Sequence, residues 1–389
     1  CTLINTRLMF DVLLSIAISF TVTFLAIPAI INVAEMKKLF DMPDERKIHH
    51  TPITPLGGLG IFAGFAFGCL LTLHFGQSVD LQYFMAASLV IFFLGLKDDI
   101  LVISPVKKFI GQVLAAFIII YYGGIQIRSM HGFLGIYQLP EMFSLLLTYF
   151  AVIVVINSFN LIDGVDGLAG SLGLLSTVVF GVYFLAVNML PYSVIAFSLA
   201  GSLLAFLIFN FQPAKIFMGD TGSLLVGTIN AVLVIKFINV SNAPDVAYPI
   251  ASAPAVGFTI LMIPLLDTLR VFGIRILHRR SPFSPDRNHI HHLLLDRGFS
   301  HKTITFFLVA INLAFIVLVY LGRSLNCTLL IFSVFASFFT LIAIVYYLRP
   351  APHLFVARSG IKEAGQPAQL KQSSKLVSLG KDSILEQKN

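Results

Sequence analysis

Apolar residues fill this chain in long blocks, separated by short polar runs. A helix that crosses the hydrocarbon core of a bilayer needs about 20 predominantly apolar residues. That ruler predicts eleven spans, at 8–35, 56–75, 82–97, 107–123, 142–157, 167–188, 192–210, 222–240, 249–270, 303–322 and 327–348. The third and fourth are short for the task. The first apolar block, Leu8 to Ala34, is too long for a signal-peptide core and is expected to be retained. No internal repeat and no second folded domain is visible. The expectation is an all-α, polytopic membrane domain over 1–348 and a polar tail over 349–389, rich in Ser, Lys and Gln.

Composition agrees with that pattern. Soluble domains are about 45–50% apolar and about 25% charged, whereas this chain is 57% hydrophobic and 12% charged. Its mean hydropathy is +0.90. The net charge of +7 would suggest nucleic acid in a soluble protein. In a membrane protein it follows from the collection of Lys and Arg in cytoplasmic loops, so no nucleic-acid partner is expected. Trp is absent, which leaves Tyr to form any interfacial aromatic belt. Cys1, Cys69 and Cys327 are far apart and show neither a disulfide framework nor metal spacing.

Eleven spans put the two ends on opposite sides, and charge decides which. The odd-numbered loops together with the tail hold 22 of the 26 Lys and Arg residues, while Arg7, Arg128 and Arg323 fall on the other side and Lys236 inside a span. The positive-inside rule then predicts an external N-terminus and a cytoplasmic C-terminus.

On this map the unusual polar residues sort to one face. Asp98-Asp99 follow the third span. Asn157, Asn160, Asp163 and Asp166 lie between the fifth and sixth, and Asp220 lies between the seventh and eighth. Arg279, Arg280, Arg287, His289, His291 and His292 lie between the ninth and tenth. All are expected to be cytoplasmic. Paired Asp at a helix end can be a solvated cap, but near lipid two acids need a divalent cation or a lysine such as Lys97, Lys107 or Lys108. The three-residue period from Asn157 to Asp166 suggests a 3₁₀-like or loop segment presenting one face, with glycines allowing close approach of a ligand. Asp220 reads either as an N-cap or as a Mg²⁺ ligand with a phosphate-favouring helix N-terminus behind it. The His and Arg residues lack a plausible set of zinc ligands and suit a polyphosphate clamp. Hard oxygen ligands combined with Arg, Lys and His are the groups used in Mg²⁺-assisted phosphoryl transfer. Acids confined to one face argue against a secondary transporter, which binds near the midplane. A scaffold role would leave the Asp-rich loops unexplained.

Four blocks carry a family resemblance: Leu94–Asp99, Asn157–Ala169, Phe217–Ser223 and Ser281–His292. In this order they resemble the polyprenyl-phosphate N-acetylhexosamine-1-phosphate transferases, over about Phe40 to Leu295. The block Pro285-Asp286-Arg287 leading into His289-Ile290-His291-His292 is similar to the branch that uses UDP-GlcNAc rather than UDP-MurNAc-pentapeptide. The resemblance implies transfer of GlcNAc-1-phosphate from UDP-GlcNAc to undecaprenyl phosphate in a bacterial inner membrane, with UMP released. The product would start a glycan such as O-antigen, common antigen or a teichoic acid linkage unit. By the same resemblance Asp220 and Asn160 would hold Mg²⁺ (or Mn²⁺), Asp98 would act on the lipid phosphate, and Asp99 would support metal and geometry. Asp163 would lie beside the nucleotide, Asp166 would contact uracil and Phe217 would stack on it. Lys108 would bind phosphate. Arg287, His289 and His291 would bind the sugar and diphosphate, and Arg46–His49 resembles a substrate loop; Asn157, Arg279, Arg280 and His292 are further candidates for the substrate site on their own chemistry. Membrane lipids surround such an enzyme, and a homodimer is compatible with it.

Overall fold

A computed structural model describes residues 2–39, 53–73, 80–243, 245–279 and 289–347. The expected loop at Arg46–His49, the residues Arg280 and Arg287, and the tail from Arg349 lie outside the described residues.

The apolar blocks become helices. In chain order they are α1 (Thr2–Lys37), α2 (Gly57–Thr72), α3 (Asp80–Leu101) and α4 (Pro105–Phe117), the last continued by a π-helical turn at Ile118–Tyr122. After it come two short strands, β1 (Ser129–Phe133) and β2 (Ile136–Gln138), paired antiparallel. Then follow α5 (Glu141–Ile162), α6 (Leu168–Ala186), α7 (Leu190–Asn210), α8 (Gly219–Val240), α9 (Ala253–Ile260), α10 (Met262–Leu277), α11 (Ile290–Leu295), α12 (His301–Leu321) and α13 (Cys327–Tyr347). Among the described residues, eight helices are long and apolar enough to cross a membrane. The other expected spans fall on α2, which has only 16 residues, on α3, and on the pair α9 and α10. The stretch expected as one span over 249–270 is two helices that meet at Leu261, and the second runs on to Leu277.

Helix α8 is the hub. It packs against α2, α3, α5, α6 and α9, and 83% of its most apolar window is buried. Lipid supplies no hydrophobic drive between helices, so close approach rests on small residues at the contacts. A Cβ on Gly58 would stand 2.2 Å from the backbone N of Gly222, and one on Gly95 would stand 2.5 Å from Cα of Thr221. These two glycines let α2 and α3 lie directly on the first turn of α8. That turn begins at Gly219, whose φ of +68° suits a residue without a side chain.

Candidate active site

Three of the four polar blocks converge on the first turn of α8, and the described part of the fourth lies against the Asp163 turn. Asp98 and Asp99 sit on the last turn of α3, beyond the apolar run 82–97. Adjacent residues on a helix diverge by about 100°, so the two carboxylates do different things. Asp99 turns to α8, where its Oδ1 accepts the Asp220 N–H at 2.7 Å and its Oδ2 accepts the Thr221 N–H at 3.0 Å and the Thr221 hydroxyl at 2.5 Å. It satisfies orphan donors of the helix N-terminus from a neighbouring helix. The expectation that this N-terminus is open to phosphate is therefore corrected, since Asp99 occupies it. Asp220 is not an N-cap either, because the helix begins one residue before it.

Asp98 faces the other way. Its Oδ1 accepts the Ile103 N–H at 2.7 Å, and its Oδ2 lies 3.1 Å from Lys108 Nζ. The same ammonium is ion-paired with Asp220 and donates to Asn160 Oδ1 at 3.3 Å. Asn160 Nδ2 in turn donates to Asp220 Oδ1 at 2.5 Å and to Ser223 Oγ at 2.9 Å. One lysine thus joins three of the four polar blocks.

The three-residue period reads differently in space. Helix α5 runs through Ile162, so Asn157 and Asn160 sit on an α-helix, on neighbouring turns of one face. The antiparallel α4 offers Lys108 and Gln112 at matching height. Gln112 Oε1 accepts from Asn157 Nδ2 at 2.8 Å, and Gln112 Nε2 donates to Asn157 Oδ1 at 3.3 Å. Only Asp163, which ends α5, and Asp166 belong to a turn. That turn is tied to its surroundings by Asn210, which accepts the Gly167 N–H at 2.8 Å and donates to the Ile216 carbonyl at 2.9 Å. Asp166 is buried, with Oδ1 at 3.3 Å from His301 Nδ1. Phe217 is half-buried in the segment before α8, its N–H donating to the Thr54 carbonyl and its carbonyl accepting from Gly57.

The histidines form the fourth wall. His289 Nδ1 lies 2.8 Å from Asp267 Oδ2. Asp267 Oδ1 accepts from the Ile290 N–H at 2.8 Å and from Arg270 at 3.1 Å. The rings of His289 and His291 stack at 5.5 Å, and His292 packs on His291 at 4.4 Å. His291 lies against the Asp163 turn so closely that a Cβ on Gly164 would stand 2.4 Å from its Nε2. Burial pushes His291 down to about 3, which keeps the imidazole neutral. Arg279 is exposed past the end of α10, and no contact joins it to the acids among the described residues.

Asp267 is invisible to a reading that treats 249–270 as one apolar span. The available signal was an acid inside that span, since an intramembrane carboxylate is costly without a partner. By holding Nδ1 of His289, Asp267 fixes the orientation of the ring. The variant Asp267→Asn keeps the shape but loses the charge-assisted bond, so kcat/KM should fall about 10- to 100-fold. Steady-state release of the nucleotide product measures this. An unchanged kcat/KM would remove Asp267 from the site.

Among the described residues the acids of the site outnumber their cationic partners. Burial raises Asp163 well above the usual carboxylate range, and the charges of Asp220, Asp99 and Asp166 raise it further. Burial also pushes Asp99 up to about 7, against the lowering effect of its Thr221 and Asp220 hydrogen bonds. No hydrogen bond or ion pair is made by the Asp163 side chain among the described residues. Such an excess of hard oxygens fits a divalent cation. No group of three His, Cys, Asp or Glu among the described residues could hold a metal by itself. Mg²⁺ does not require one: it is usually bound by one or two carboxylates, with water and substrate phosphates completing the shell. Asp220 and Asn160 suit that role.

Comparison with known proteins gives the relatives of the chain. The family model for glycosyl transferase family 4 matches residues 81–238, from the second residue of α3 nearly to the end of α8. The chain is 35% identical over 283 residues to a decaprenyl-phosphate N-acetylglucosaminephosphotransferase of Mycolicibacterium smegmatis, covering 67% of this chain and 69% of that protein. It is 31% identical over 269 residues to an undecaprenyl-phosphate alpha-N-acetylglucosaminyl 1-phosphate transferase of Yersinia pestis, covering 68% and 71%. To the protein of the same description from Escherichia coli strain K12 it is 30% identical over 276 residues, covering 70% and 73%.

Proposed function

The chain belongs to glycosyl transferase family 4, among the polyprenyl-phosphate N-acetylglucosamine-1-phosphate transferases, and from that premise we propose that it moves GlcNAc-1-phosphate from UDP-GlcNAc to undecaprenyl phosphate at the first turn of α8. The observation that carries this reading is Lys108, whose ammonium meets Asp98, Asp220 and Asn160 at once. Two polyanions must meet here, and a lysine that is shared among acids can exchange one of them for phosphate.

In the proposed reaction an oxygen of the lipid phosphate attacks the β-phosphorus of the nucleotide sugar, and UMP leaves. A phosphate monoester has a second pKa near ~6, so the lipid is largely dianionic at neutral pH and already nucleophilic. Asp98 then serves mainly to position the attack, and takes a proton only from the monoanion. Mg²⁺, held by Asp220 and Asn160 when bound, supplies charge neutralisation on the diphosphate. Lys108 orients the lipid phosphate beside Asp98. Asp99 holds the first turn of α8, and with it Asp220, in place. His289, aimed by Asp267, and the neutral His291 against Gly164 donate to the sugar and diphosphate, with Arg287 and Arg280 completing the clamp. Asp163, Asp166 and Phe217 form the nucleoside end.

Eleven spans, an external N-terminus and an active site facing the cytoplasm of a bacterial inner membrane complete the proposal. The Lys and Arg distribution supports this orientation. In a variant lacking Cys1, Cys69 and Cys327, a cysteine at Ala243 should label with an impermeant maleimide on intact cells. A cysteine at Asp296 should label only after permeabilisation. The reverse pattern overturns the orientation.

The function is tested with purified protein, Mg²⁺ and undecaprenyl phosphate. UMP should form from UDP-GlcNAc only when the lipid phosphate is present. Equal turnover of UDP-MurNAc-pentapeptide would move the chain to the other branch, and UMP formed without lipid would contradict direct transfer.

A further inference from the structure

A second polar cavity lies at the other end of the bundle. Its volume is about 470 Å³, and its walls include Arg128, His131, Gln138, Lys236, Asn239 and Asn242. Helix α8 connects it to the active site. Lys236 stands 16 residues after Asp220 on that helix, a distance of about 24 Å at 1.5 Å per residue. The cavity is therefore separate from the transfer chemistry. None of its described lining residues is acidic. Lys236 is held 4.0 Å from Asp80 and 4.5 Å from the centre of the Tyr192 ring, so its charge is partly offset. Arg128 is exposed and has no acidic partner among the described residues. The cavity is thus net basic, and Arg128 leaves its fork of donors open to an anion.

The surroundings say at what depth it lies. Tyr121, Tyr122, Tyr137 and Tyr248 are all exposed at this end of the bundle, and exposed tyrosines mark the headgroup level of a bilayer. The β1–β2 hairpin borders the cavity and carries exposed Leu134 and Ile136 at its tip. Apolar side chains beside a basic pocket suit a ligand with an anionic head and an apolar body. Arg binds phosphate through paired donors, and a cavity of this size takes a glycerophosphate group with room to spare.

We propose that this cavity, built on Arg128 and Lys236 at the bundle end opposite the active site, binds a phosphate-bearing anion, the headgroup of an anionic phospholipid or free phosphate. It needs no part of the transfer reaction and does not depend on the identity of the donor. The test uses the full chain purified in a neutral maltoside detergent. Thermal unfolding is followed with phosphatidylglycerol, with phosphatidylcholine and with inorganic phosphate. Phosphatidylglycerol should raise the unfolding temperature by more than phosphatidylcholine does. The variants Arg128→Gln and Asn242→Asp, both at exposed positions, should abolish that difference while UMP release from UDP-GlcNAc and undecaprenyl phosphate, with no phospholipid added, stays at the parent rate. A shift with phosphatidylglycerol alone identifies a headgroup site. An equal shift with inorganic phosphate, lost in the same variants, identifies a free-anion site. The proposal is overturned by a shift that phosphatidylcholine matches, by one that survives either variant, or by no shift with either anion.

Discussion

Asp220→Asn is expected to lower turnover at least about a hundredfold and to raise the Mg²⁺ concentration needed for half-maximal activity. Asp220 is the acid that links Lys108, Asn160 and the Asp99 cap. It pairs with Lys108, accepts from Asn160 and sits on the turn that Asp99 caps. The isosteric amide keeps that shape while removing a negative charge from the proposed metal site. Its loss should show at every pH, because a hard cation loses a ligand rather than a proton acceptor. A Mg²⁺ titration of UMP release separates the two effects. A lower turnover at unchanged Mg²⁺ dependence would take Asp220 out of the metal site.

Lys108→Gln should lower turnover by a similar factor, about a hundredfold, the equivalent of one charge-assisted hydrogen bond of about 3 kcal/mol. Its effect on Mg²⁺ should have the opposite sign. The Lys108 ammonium occupies the place of the proposed cation on Asp220, and also holds Asp98 at 3.1 Å. Removing it frees both carboxylates, so the half-saturating Mg²⁺ concentration should fall while the chemistry slows. A purely structural lysine would lower the unfolding temperature and move both constants together. A rise in the half-saturating Mg²⁺ concentration would contradict competition at Asp220.

The membrane class and the four polar blocks are legible in the sequence for one reason. Charges and amides are expensive near lipid, so in a chain this apolar they stand out wherever they occur. The meeting of three of them on one helix turn is a matter of packing, carried by contacts that no local pattern encodes. Gly58 and Gly95 admit α2 and α3 to the start of α8, and an isolated glycine in an apolar run does not say which backbone will approach it. The period from Asn157 to Asp166 suggested a loop because a spacing of three fits 3₁₀ geometry. In the structure the first half is α-helix, since i and i+3 also share a face there. Gln112, paired with Asn157, was hidden on an amphipathic helix with exposed neighbours. Asp267 and Arg270 were hidden inside an apolar stretch counted as one span. The break at Leu261 makes α10 a separate helix, and only then does Asp267 come within reach of His289. His301 lies 135 residues from Asp166, with nothing in either segment to join them.

The central claim is that the sugar and one phosphate move together. It is tested most directly with UDP-GlcNAc labelled with ³²P in the β-phosphate and with ³H in the sugar. Purified protein, Mg²⁺ and undecaprenyl phosphate are added, and the lipid fraction is extracted. Both labels should enter the lipid in a one-to-one ratio, with UMP as the soluble product. Tritium in the lipid without ³²P, accompanied by UDP, would mean that the sugar alone is transferred and would contradict the account.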